Sequence, residues 1–365
     1  MASAGDAINI LILSLDVAAN PVNGCLDAEE SAIFQCRGWF CRQRCFLLQL
    51  FVLPSRPLLK RHPGPAPHES GRTTMGSFSG KRVIISGGSR GIGLAIAKKL
   101  ASQGARIAIF AKTVEPRANL PGTVYTAVEE IESAGGEALP IITDIRSEDQ
   151  VHTAVSKTVA AFGGIDICIN NAGSVSLMPT MQIEMKRFDL LFAVNVRGTF
   201  LLSKACVPHL AKGSNAHILN VCPPLDMQAK WFARTLPYSL SKFGMSQCVL
   251  GMAAEFRGQG IAVNALWPHS LVATAAISNV VGGATALPHC RKPEIMADAA
   301  CAILSRDGGS FSGRFCIDDV LLKEEGVENF SVYRVDPEQD LWSDFFIPDD
   351  TPQIEPMSFP KIPHK

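Results

Sequence analysis

Tyr238 and Lys242 stand four residues apart in the segment YSLSK, a spacing that puts both side chains on one face of a helix. A phenol can give a proton to a substrate oxygen or take one from it. An ammonium one turn away favours the phenolate and draws its pKa down from about 10 towards working pH. In isolation such a pair also fits an ordinary amphipathic helix with a half-buried Tyr and an exposed Lys. What changes the reading is the run SGGSRGIG, Ser86 to Gly93, upstream of it. A glycine-rich turn between an apolar strand and a helix holds a dinucleotide pyrophosphate. In this run Gly87 permits the tight turn, Gly91 lets the backbone approach the phosphates, and Gly93 allows helix and strand to pack closely. Ser89, Arg90 and Ile92 make up the rest of the cofactor-facing loop. The two motifs together describe hydride transfer between a nicotinamide cofactor and a carbonyl or alcohol, with the protein moving the proton on oxygen.

Which nicotinamide cofactor binds is decided at the end of the second strand, where an acid would accept hydrogen bonds from the adenosine ribose. The sequence there is IFAKT, with no acid, and Lys112 and Arg90 can both face a 2′-phosphate. The expectation is NADP(H).

Positioning these groups requires a parallel sheet. From Lys81 onward, strand-like segments (RVIIS, RIAIF, ALPIITD, IDICINN, HILNV, IAVNALW) alternate with amphipathic ones (LAIAKKLASQG, VYTAVEEIESAGG, QVHTAVSKTVAAFGG, KFGMSQCVLGMAAEFRGQG). This pattern predicts an α/β fold with a single doubly wound parallel sheet of Rossmann type over residues 76–340. Residues 1–75 read as an N-terminal extension, either a targeting segment or a leader that is dispensable if Met75 is the functional start. Residues 341–365, rich in Pro, Asp and aromatics, read as a C-terminal tail that straps the surface.

The 34 Lys and Arg balance the 34 Asp and Glu, which leaves no field to attract nucleic acid or an anionic membrane. The apolar bursts INILILSL and CFLLQLFVL are each too short to span a bilayer, so no integral membrane segment is expected. Eleven cysteines without paired CxxC spacing suit a reducing compartment better than a disulfide framework. The cluster Cys36, Cys41 and Cys45 lacks zinc-finger spacing, so no metal is expected.

SGGSRGIG, Asp144 in TDIRS, Asn170 to Gly173 in NNAG, Asn195 in VNVRG, and Tyr238 with Lys242 together resemble the ordered motif set of the short-chain dehydrogenases/reductases. The likeness covers about residues 80 to 275. Further segments, among them AKTVEPRANLPGTVYTAVEEIE, NVCPPL and KEEGVENFSVY, are similar to the hydroxysteroid dehydrogenase-like branch of that family and extend it to about Phe346. The sterol-carrier domain that ends animal members finds no counterpart in the remaining residues.

The resemblance implies that Asp144 contacts the adenine and that Asn171, Ala172 and Gly173 line the cofactor. It further implies that Asn195 supports a proton-relay water near Lys242, that Lys242 holds the cofactor ribose, and that Pro268 and Thr274 belong to the nicotinamide loop. It also implies a lipophilic, steroid-like or fatty-acyl-like substrate, a homo-oligomer joined through the helix of Tyr238, and a mitochondrial or peroxisomal location. A start at Met75 would imply the cytoplasm.

Two departures stand out. The family usually has a Ser that hydrogen-bonds the substrate oxygen, whereas the strand end here reads Cys222, Pro223, Pro224, and a thiol is a weak donor. Where the family commonly has Pro-Gly, this chain has Pro268 and His269. The alternative is therefore a catalytically weak or inactive NADPH-binding scaffold or redox sensor.

Overall fold

The computed structural model describes residues 78–118 and 120–359. The readings made on residues 1–75, the start at Met75 and the final IPHK lie outside them.

The sheet has seven strands, all parallel: β1 (Arg82–Ser86), β2 (Arg106–Ala111), β3 (Glu137–Ile142), β4 (Ile167–Asn170), β5 (Ala216–Val221), β6 (Ile261–Trp267) and β7 (Phe315–Ile317). Their spatial order is β3-β2-β1-β4-β5-β6-β7. The winding direction reverses between β1 and β4, so the crevice beyond the carboxyl ends of these two strands is where a ligand belongs. The fold class read from the sequence is the one observed.

Strands β4, β5 and β6 are buried along their whole length, as strands covered on both faces must be. Alternate residues then serve opposite layers. Ile85, Ile107, Ile109 and Ile167 pack under α1 (Gly91–Ala101), α2 (Val124–Ser133) and α7 (Glu294–Ser305). Ile84, Ala108, Cys168 and Ile218 pack under α3 (Glu148–Phe162), α5 (Thr199–Leu210) and α6 (Leu236–Glu255). Local chemistry sets the helix ends. Thr123 and Thr126 form a reciprocal cap at the start of α2, the Ser147 hydroxyl accepts from the Gln150 N–H ahead of α3, and Gly163 closes α3 at φ 82°.

Between α4 (Met185–Leu191) and α5 the chain widens into a π-helical turn, Phe192–Gly198. The continuous run Met185–Leu210 passes for a membrane span by length and composition, but half of it is buried within the fold. Its inner side packs against β4 and α6, which marks it as a core helix.

The C-terminal segment lies against the body as a strap, with anchors buried more deeply than a surface strap implies. Beyond α8 (Asp318–Glu324) a short parallel pair, β8 (Leu341–Trp342) with β9 (Met357–Ser358), returns to the body. Leu341 and Phe346 are completely buried. The physical reason is composition: Leu341, Phe345, Phe346 and Ile347 carry too much apolar surface to remain in water.

Candidate active site

The crevice at the switch point is built by two loops that lock each other. The Ser86 hydroxyl, at the end of β1, accepts the backbone N–H groups of Asn171 and Ala172 at 3.2 and 3.1 Å. In return the Asn171 amide donates to the carbonyls of Ser86 and Gly87 at 3.2 and 3.0 Å. Gly87 has φ 70°, and a Cβ on it would lie 2.8 Å from the Ala172 Cα. A Cβ on Gly93 would come within 2.4 Å of the Asn171 amide nitrogen and 2.6 Å of the Gly87 carbonyl. These two positions are therefore closed to any side chain. Thr274 stands across from the loop: a Cβ on Gly91 would meet its methyl at 3.2 Å. The structure thus brings Gly87, Gly91, Gly93, Asn171, Ala172 and Thr274 together, with Ser89 buried and Ile92 partly buried beside them.

Arg90 is anchored by the loop between β2 and α2. Its guanidinium donates to the carbonyls of Pro121 at 2.9 Å and Gly122 at 2.6 Å. Burial lowers its pKa, and the neighbouring Arg117 guanidinium adds to the shift. Lys112 follows β2 directly and is exposed; its nearest acid is Asp144, at 3.9 Å. The Asp144 carboxylate is held mainly by Arg146, with bonds of 2.9 and 2.5 Å, and this pairing lowers its pKa to about 2. Asp144 is thus ionised at the rim of the crevice, with its side chain committed to Arg146.

Asn195 lies in the π-helical turn and is fully buried. Its carbonyl accepts the Ser174 N–H at 2.8 Å, and its amide donates to the Ser174 carbonyl at 3.0 Å and the Ser241 hydroxyl at 2.9 Å. It ties the loop beyond Gly173 to the helix that carries the Tyr-Lys pair. A π-turn often marks a functional site.

On α6, Tyr238 is half-buried and Lys242 is buried. The Lys242 ammonium donates to the Val221 carbonyl at 2.8 Å and lies 4.9 Å from the centre of the Trp267 ring. Burial lowers its pKa to about 8, while Cys222 and Asp344 work the other way. The sequence led us to expect a Tyr238 phenol drawn downwards by Lys242. In this arrangement it is pushed up instead, first by burial and then by the Asp344 carboxylate.

The two departures resolve structurally. Cys222 is fully buried and desolvation raises its thiol to about 12, which makes it a packed thiol and no nucleophile. Ser239, beside the Tyr, turns its hydroxyl to the Trp231 and Thr235 carbonyls. His269, following the buried Pro268, is not a surface residue: it is buried, with its Nδ1 2.8 Å from the Asp319 carboxylate. Its backbone is not among the left-handed positions, so the loop does not require Gly there. Sequence reasoning missed Asp344 and Phe346. The only signal was the aromatic pair in SDFFIPDD, which says nothing about where it docks.

A strand-Gly-loop-helix cradle at the switch point, facing a helical Tyr-Lys pair, defines a nicotinamide-dependent oxidoreductase of the doubly wound class. The short chain dehydrogenase family pattern matches residues 81–281, and the chain belongs to that family. It is 52% identical over 272 residues to hydroxysteroid dehydrogenase-like protein 2 of Danio rerio, covering 74% of this chain and 65% of the relative. The Homo sapiens protein of the same name is also 52% identical over 272 residues, with 74% and 64% covered. This chain thus spans somewhat less than two thirds of these relatives' lengths. Among solved structures it resembles a dehydrogenase from Xanthomonas campestris, with TM-score 0.72, 48% identity, and 75% of this chain and all of that one covered. It also resembles a Burkholderia cenocepacia short chain dehydrogenase in complex with NADP, with TM-score 0.57, 30% identity, and 66% and 97% covered.

Proposed function

We propose that this chain is an NADP(H)-dependent carbonyl reductase or alcohol dehydrogenase acting on a lipophilic substrate. The observation that carries the cofactor choice is Arg90. Its guanidinium is anchored by two carbonyls beside the glycine cradle, no acid is paired with it among the described residues, and burial with Arg117 nearby works against its charge. A 2′-phosphate would offset that cost. Lys112 stands at the end of β2, where an acid would select NAD.

When bound, the nicotinamide supplies or accepts the hydride. This chain's residues do the rest. Gly87 and Gly93 let the cradle close on Asn171 and Ala172, Gly91 lets the backbone approach the pyrophosphate with Thr274 across from it, and Asn195 fixes the loop at Ser174 against α6. Tyr238 moves the proton at the substrate oxygen, and Lys242 supplies the neighbouring positive charge and a hold on the ribose. The cluster of Trp231, Phe243, Trp267 and Phe346, with Leu225 and Phe232 against it, gives the surroundings of Tyr238 an apolar character. This suits a steroid-like or fatty-acyl-like substrate.

The expected outcome of a fluorescence titration of the full chain is NADPH binding at least about tenfold tighter than NADH, as a charge-assisted phosphate contact provides. Equal affinities would overturn the NADP assignment. A second reading, a nucleotide-binding scaffold, is favoured by the buried Cys222 and the diverted Ser239, which leave the substrate oxygen without the usual hydroxyl donor. NADPH binding with no oxidation of it by fatty aldehydes or ketosteroids would support that reading.

A further inference from the structure

The C-terminal segment comes back beside the helix of Tyr238 and is pinned to β6 and the loop after it by hydrogen bonds to its main chain. The Leu271 N–H donates to the Trp342 carbonyl at 2.8 Å, the Asp344 N–H to the His269 carbonyl at 2.9 Å, and the Trp267 indole N–H to the Phe345 carbonyl at 2.7 Å. All three partners lie on β6 or on the loop after it, the same loop that carries Pro268 and Thr274.

The next residue, Phe346, has φ 66° and no exposed surface. An L-residue with a large side chain takes that conformation only where its surroundings over-determine it. Here they do. Its ring centroid lies 6.0 Å from Tyr238, 5.2 Å from Phe243, 5.9 Å from Trp231 and 6.0 Å from Trp267.

The Asp344 carboxylate accepts only the Phe345 N–H, at 2.6 Å, among the described residues. The groups that act on it or feel its charge are Lys242 and Tyr238 from α6, Asp318 from α8, and Cys290 ahead of α7. Burial pushes the Asp344 carboxyl up to about 7; the Phe345 N–H and Lys242 hold it down, and Asp318 adds to the rise.

We propose that residues 344–346 are part of the catalytic apparatus: Phe346 seats the ring of Tyr238, and Asp344 is a positioning residue that acts through the charges of Tyr238 and Lys242. The proposal rests on the oxidoreductase reading. An ionised Asp344 makes the Tyr238 phenolate less favourable and the Lys242 ammonium more so; a protonated Asp344 does neither. Alcohol oxidation needs the phenolate as base, so above about pH 7 the carboxylate delays its appearance to higher pH.

Two measurements on the full chain test this. By infrared spectroscopy, wild type should show a protonated-carboxyl band that disappears with a midpoint near 7, is missing in Asp344→Asn, and moves to higher pH in Lys242→Met. A midpoint indifferent to Lys242→Met overturns the coupling. In oxidation of decanol or a hydroxysteroid, Asp344→Asn should shift the rising limb of kcat/KM to lower pH by about one unit, and Asp344→Glu should restore it. The Asn isostere keeps both hydrogen bonds, so a purely structural role would leave the limb in place. Phe346→Ala should lower kcat about tenfold with NADPH affinity within about twofold, a loss of positioning alone. A wild type that shows the coupling but turns over no probe sinks the oxidoreductase reading and with it the catalytic role of residues 344–346, while the coupling itself stands. An active enzyme with the same limb in Asp344→Asn sinks the inference alone.

Discussion

At the residue scale the proposed chemistry rests on one phenol, and its environment is less obliging than its sequence neighbour suggests. Lys242 spends its ammonium on the Val221 carbonyl, while burial and Asp344 raise the Tyr238 pKa. The site therefore favours the neutral phenol, the form that donates a proton in carbonyl reduction. Tyr238→Phe should reduce turnover by about two to four orders of magnitude while NADPH affinity stays within about threefold, since only proton transfer is removed. Stopped-flow turnover alongside cofactor titration checks this, and a variant that keeps most of its rate would dismiss Tyr238 as the acid/base. The residues of the cradle were legible because glycine has no substitute where a Cβ would collide. His269 was not legible: its role depends on Asp318 and Asp319, about fifty positions away.

At the scale of elements, the loop after β6 is held by a buried ionic network. Arg291 donates to Asp319 at 2.8 Å and to Glu355 at 2.6 Å, Arg334 donates to Glu355 at 3.1 Å, and Asp319 also meets His269. The backbone of Arg291 joins in, its N–H donating to the Leu271 carbonyl and its carbonyl accepting from Ala273, both at 2.9 Å. Burial works to raise the Asp319 pKa, but His269 and Arg291 outweigh it and hold it down. Arg291→Met would leave Asp319 with His269 alone and Glu355 with Arg334 alone, and loss of the buried guanidinium between them should cost about 3–5 kcal/mol. Urea unfolding reads this directly, and a loss below about 1 kcal/mol would show that the network is not a structural clamp. The central strands were legible because buried parallel strands are predominantly apolar. β7, β8 and β9 have three, two and two residues, too few for any periodicity to register.

At the scale of the whole molecule, large apolar side chains remain uncovered on neighbouring helices. Phe200 on α5 is 51% exposed, and on α6 Leu240 is 41% and Leu250 57% exposed. We propose that these side chains meet a second copy of the chain, as the homo-oligomer that the family likeness implies would require. The chain should sediment as an oligomer, and Leu240→Glu with Leu250→Glu should reduce its mass in analytical ultracentrifugation. A monomeric wild type would refute the contact. Because α6 also carries Tyr238, the double variant should lose activity in parallel with mass.

The amino-acid sequence by itself determined the alternation of strand and helix, the glycine cradle and the Tyr-Lys pair. Each is local: a hydrophobic period, a turn that excludes Cβ, a single helical turn. Tertiary structure alone decided that Lys242 faces a carbonyl, that Cys222 is inert and that His269 is buried. It also brought the segment of Asp344 and Phe346 back to Tyr238, more than a hundred residues earlier. Those outcomes depend on what packs against each group and how much water it loses, and both are fixed only when distant segments meet.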